Sequence, residues 1–146
     1  MKSATKSETG RTLWCGPYAM ATVSGQPYDA VYKKMLRAEN RGRPAYLGKR
    51  KFLTGVSTDL METVSRTLKT GILFEHVLGK PTVNQYLDHL RPNRIYILEV
   101  TRHYIVIDTG DGTAIDNQSG KWQPFSEFKQ MRKRVRKCAE VGRHKI

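Results

Sequence analysis

Acidic residues are scarce in this chain. Over 146 residues, 13 Asp and Glu stand against 26 Lys and Arg, for a formal net charge of +13. That imbalance excludes a cation-collecting surface. It predicts attraction to nucleic acid or another polyanion, in a salt-dependent and sequence-independent form. Cysteine is nearly absent too: only Cys15 and Cys138 occur. Two cysteines do not build a disulfide-stapled secreted domain, and free thiols in a reducing cytoplasm are expected instead. No apolar run approaches the roughly 20 residues of a membrane-spanning helix, so no membrane is expected as a partner. Met1 to Thr12 is polar and lacks the apolar centre of a signal peptide. The residues Cys15, Cys138, His76, His89, His103 and His144 show no ligand-pair spacing, and no GxxxxGK[ST] loop occurs. Neither a metal nor any other cofactor is therefore expected.

What is present reads as one domain. Residues 1–11 are rich in Ser, Thr and Lys and read as a flexible arm, with a single domain over 12–146. Helices are expected over Gly16–Ser24, from Pro27 to about Asn40-Arg41-Gly42, from the N-cap candidate Ser57 to near Gly71, and over Pro81–Leu90. Between the second and third lies a long basic loop, 41–55, with five basic residues. The character then changes. Strands are expected at Ile72–Leu78, Arg94–Val100, Tyr104–Asp108, Thr113–Ile115 and Val135–Val141, with a hairpin turn at Thr109-Gly110-Asp111-Gly112 and a short helix over Phe125–Arg132. Helices first and a mostly antiparallel sheet second is an α+β pattern.

One ordered set of residues points at chemistry. Trp14-Cys15-Gly16-Pro17 opens the first helix, His103 heads the apolar run Tyr104-Ile105-Val106-Ile107, and Asp116-Asn117 follows the hairpin. A helix N-terminus presents unpaired N–H groups and a partial positive charge, and both favour thiolate over thiol. A histidine beside that thiol is a base, and an acid or amide behind the histidine orients its ring. Taken singly, these residues are a small buried hydrophobe, a strand-edge histidine and a turn; their joint order is the signal. Trp-Cys-Gly-Pro also begins the thioredoxin motif, but Tyr18 stands where the second cysteine would be, and no apolar strand precedes it.

The runs Cys15-Gly16-Pro17-Tyr18-Ala19-Met20-Ala21, His103-Tyr104-Ile105-Val106-Ile107-Asp108 and Asp116-Asn117-Gln118-Ser119-Gly120 resemble the papain-like cysteine peptidase superfamily, and within it the compact bacterial and phage C39-like members. The resemblance implies N-terminal helices packed on a C-terminal sheet. It implies Cys15 as nucleophile, His103 as general base and Asp116 as the orienting residue, with Asn117 the alternative third member. Alternation turns Asp116 away from the core-facing Ile115, which favours Asp116. It implies a thiol-dependent hydrolase acting on a protein or peptide through an acyl-enzyme; acyl transfer shares the triad. A phage origin would add a virion-associated location to the cytoplasmic one. The sequence departs from the family at one point. The upstream Gln of the oxyanion hole is Thr9 here, leaving the Cys15 backbone N–H, with Arg11 or Thr12, to take part. Loss of one oxyanion donor costs roughly 10²–10³ in rate. The alternative function is a catalytically weak or inactive module of the same fold that binds nucleic acid or nucleoprotein through Arg132, Lys133, Arg134, Arg136 and Lys137.

Overall fold

Tyr28, Val31, Tyr32 and Met35 recur at three- and four-residue spacing, and all four are buried on one stripe of a helix. The computed structural model describes residues 14–53 and 55–143, the side chain of Arg143 excepted. The N-terminal arm and the positions of Thr9, Arg11 and Thr12 lie outside the described residues. Helix α1 spans Cys15–Ser24 and α2 spans Tyr28–Arg41. Helix α1 is buried on every side from Gly16 to Val23, because it lies between α2 and the sheet. Gly25 stops it in the left-handed conformation (φ 72°), its N–H returning to the Ala21 carbonyl at 2.9 Å. Helix α3, Thr58–Thr67, begins where expected: the Ser57 hydroxyl accepts the Leu60 N–H at 3.2 Å.

Strand β1 is Glu75–His76, much shorter than the expected 72–78. The expected helix over 81–90 is α4, Val83–Tyr86, continued by a single 3₁₀ turn at Leu87–His89. A reciprocal box between Thr82 and Gln85 starts it. The sheet continues with β2 (Arg94–Val100), β3 (His103–Asp108), β4 (Thr113–Ile115), β5 (Gln123–Pro124) and β6 (Val135–Arg143). Its order is β1-β6-β2-β3-β4-β5, and every neighbouring pair is antiparallel. The protein is thus α+β, with four α-helices and a six-stranded antiparallel sheet among the described residues.

Both faces of the sheet are covered. Ile95, Ile97, Tyr104, Val106, Ile115 and Ala139 pack against α1, α2 and α3. Tyr96, Leu98, Val100, Ile105, Ile107 and Ala114 face the other way, beneath Val83, Phe128 and Met131. This explains the near-continuous apolar runs of β2 and β3, which are buried on both sides. The 125–131 segment is a series of turns rather than the expected helix. Its N–H and C=O groups are taken elsewhere: Phe125 N–H by the Gly112 carbonyl, and the Met131 carbonyl by the Asn84 N–H. Strand β5 was not expected because it contains Pro124, which only a sheet edge tolerates. The 41–55 loop holds one 3₁₀ turn, Ala45–Leu47, and is pinned where the Asn40 amide pairs with the Arg50 backbone. No helix among the described residues is long and apolar enough to cross a membrane.

Candidate active site

The turn joining β3 to β4 sets the geometry. Asp108 Oδ1 accepts the Gly110 N–H at 2.8 Å and the Asp111 N–H at 3.2 Å, and Gly112 takes the left-handed conformation (φ 69°). The strands then pair with Val106 opposite Ile115. The start of β3 and the end of β4 therefore lie at one end of the sheet, which brings together residues 13 apart in sequence. There His103 Nε2 and Asp116 Oδ2 stand 2.7 Å apart, 6% and 2% exposed. Asp116, not Asn117, bonds the imidazole; Asn117 is the next residue along the turn.

The carboxylate is itself held. Its Oδ1 accepts the Ser119 N–H at 2.7 Å, the Ser119 hydroxyl faces the Asp116 N–H at 3.1 Å, and the Gly120 N–H closes on the Asp116 carbonyl at 3.0 Å. Asp116-Asn117-Gln118-Ser119 is thus an Asx-type turn that points one carboxylate oxygen at the ring. Ser119 was missed in the sequence, although an Asp three residues before a Ser is a legible turn signal.

On the other side of His103 stands the Cys15 thiol, close enough for each group to shift the other's proton affinity. With Nε2 given to Asp116, Nδ1 is the nitrogen left for sulfur. The Tyr104 and Gly16 backbone N–H groups also favour the charged sulfur. Burial pushes the Cys15 pKa up, but the His103 hydrogen bond, the Tyr104 N–H, the His103 charge and the Gly16 N–H together bring it below the ordinary thiol value. Burial pulls His103 down, but the hydrogen bonds to Asp116 and Cys15 outweigh it and lift the imidazole to about 9. Burial likewise opposes the Asp116 charge, yet His103 and Ser119 hold its carboxyl below the usual range. His103 is therefore held as imidazolium and Asp116 as carboxylate in the neutral range, and the Cys15 thiol is shifted toward its thiolate. Cys138 is the contrast: burial pushes that thiol up to about 11.

Close packing fixes the cysteine. A Cβ on Gly16 would stand 2.9 Å from Val56 Cβ, so only glycine lets the helix start sit this near the end of the basic loop. The Tyr104 hydroxyl anchors the same residue, donating to the Val56 carbonyl at 2.7 Å. The Trp14 N–H donates to the Tyr28 hydroxyl at 2.8 Å, tying the entry of α1 to α2. Tyr18, one turn into α1, is 1% exposed, and burial and the Asp116 charge both raise its pKa. The Cys15 backbone N–H, in the first turn of α1, has no intrahelical acceptor and is free in principle to meet an oxyanion. Arg11 and Thr12 lie outside the described residues.

In the basic run near the C-terminus, Arg134 and Arg136 are exposed and Lys137 is half-buried, and β6 is bulged at Arg136, where Lys137 and Val135 pair with the consecutive Glu99 and Val100. Lys137 Nζ donates to the Thr58 hydroxyl at 2.8 Å on the helical side, and Arg134 donates to the Lys80 carbonyl at 3.2 Å. Arg132 is exposed and Lys133 half-buried. Among the described residues, no three His, Cys, Asp or Glu side chains gather as a metal ion would require. Comparison with family models, curated proteins and solved structures finds no match to this chain.

Proposed function

We propose that the chain is a thiol-dependent hydrolase of papain-like, C39-like architecture, a cysteine peptidase or isopeptidase acting through Cys15, His103 and Asp116. The observation that carries this reading is the buried His103–Asp116 pair, 2.7 Å apart, with the half-buried Cys15 thiol at the helix start beside the imidazole. The Cys15 thiolate attacks an amide, isopeptide or thioester carbonyl, and the carbonyl oxygen takes up the negative charge beside the Cys15 N–H. As that oxyanion collapses, the bond to the leaving group breaks and the His103 imidazolium protonates the departing atom. Neutral His103 then takes a proton from water, which attacks the acyl-thioester and regenerates the thiolate. An amine or alcohol in place of water would make the same site an acyl transferase. Asp116 keeps the ring aligned and charge-balanced throughout.

The test is the pH dependence of alkylation, followed by intact mass spectrometry. Cys15 is expected to label fast well below pH 8, and His103→Ala to slow it at least tenfold at pH 7. A Cys15 that labels like a free thiol of pKa about 8.5, indifferent to His103, overturns the reading.

A further inference from the structure

The second half of α2 carries Lys34, Arg37 and Arg41 along one side of a groove closed by α3, a space of about 300 Å³ floored by Ala38 and Val64 and bordered by Thr63. No carboxylate lines it. None of the three cations has an ion pair among the described residues, whereas Glu39, on the same helix, is engaged by Arg50. The spacing of i, i+3 and i+7 puts like charges next to one another on a helix, which weakens it. The core side of α2 is Tyr28, Val31, Tyr32 and Met35, and the cations lie off it.

We propose that this α2–α3 groove docks the phosphodiester backbone of a nucleic acid. Lys34 to Arg41 spans about 10 Å along the helix axis, and the long Lys and Arg side chains extend that reach over neighbouring phosphates of a duplex strand. No aromatic side chain lines the groove for base stacking, so contact would be to phosphates alone and indifferent to sequence. The Arg pair supplies forked donors and the Thr63 hydroxyl a further one. The net charge of +13 adds long-range attraction to the same ligand class. The groove also separates this contact from Cys15: α2 meets the catalytic end of α1 at Tyr28, and the cations occupy the far half.

The experiment is binding of the full chain to a 20-base-pair duplex of arbitrary sequence, read by fluorescence anisotropy between 50 and 200 mM salt. Three neutralised phosphates account for about a 40-fold loss of affinity over that range, from a slope of roughly −0.9 each. Combined Lys34→Gln, Arg37→Gln and Arg41→Gln should abolish that part of the slope. Combined Arg132→Gln, Lys133→Gln and Arg136→Gln removes the same charge and should leave most of it. Cys15 alkylation, unchanged in both variants, reports that each is folded. Equal loss in the two variants would mean net charge rather than the groove, and overturns the proposal. So would tighter binding of polyglutamate than of DNA at matched charge, which would assign the groove to an acidic polypeptide, or wild-type affinity that ignores salt.

Discussion

Replacing Asp116 by Asn tests the buried pair at its most sensitive point. The side chain keeps its shape but loses its charge. In the native protein the imidazole of His103 rises from 6.5 to about 9, against burial, with the Asp116 hydrogen bond the largest of the contributions that raise it. At about 1.4 kcal/mol per tenfold, that rise is worth about 3 kcal/mol, and the Asp116 hydrogen bond is the largest contribution to it. Because the folded pKa is raised, this stability is fully present below pH 6.5 and is lost as pH climbs through about 9. A second, pH-independent loss of about 1 kcal/mol comes from the Ser119 N–H, which would face an amide NH₂ in place of Oδ1. Urea unfolding should therefore show Asp116→Asn clearly more destabilised at pH 6 than above pH 9.5, where about 1 kcal/mol remains. The same variant should slow Cys15 alkylation at pH 7 by roughly tenfold, since the imidazolium no longer has its counter-charge. A destabilisation equal at both pH values would refute the idea that Asp116 and His103 form a charged pair.

Three further outcomes follow from named contacts. Native Cys138 should resist alkylation until the pH approaches 11, then label readily in urea, which makes it an internal control for Cys15 on mass spectra. Gly16→Ala should lower Cys15 reactivity while leaving helix content by circular dichroism intact, because the new methyl displaces Val56 from 2.9 Å and with it the start of α1; unchanged reactivity would show that this contact does not position the thiol. Ile97→Ala, at a fully buried site in the central strand β2, should cost about 2–5 kcal/mol in chemical unfolding, and a cost under 1 kcal/mol would contradict the packing described.

Much was written locally in the chain. Helices α2 and α3 and strands β2, β3 and β4 are legible because periodicity, an N-cap serine and a Gly-Asp-Gly turn act over a few residues, and the hairpin alone brings His103 near Asp116. Where long-range contacts compete with local preference, the sequence misleads. The 125–131 segment looks helical, yet its polar groups bond to Gly112 and Asn84, and its apolar residues close the second face of the sheet. Lys34, Arg37 and Arg41 look like an ordinary solvated helix face until α3 lies beside them. At the site, the sequence by itself determined which residue types could come together: a thiol at a helix start, an imidazole at a strand start and a carboxylate after a hairpin. Only the tertiary structure decided that Asp116 rather than Asn117 bonds His103, that Ser119 holds the carboxylate, and that Val56 and Tyr104 flank the thiol. Those choices depend on distances between segments far apart in the chain, 48 residues for Val56 and Tyr104 and more for Cys15 and Tyr104, and no local preference encodes such distances.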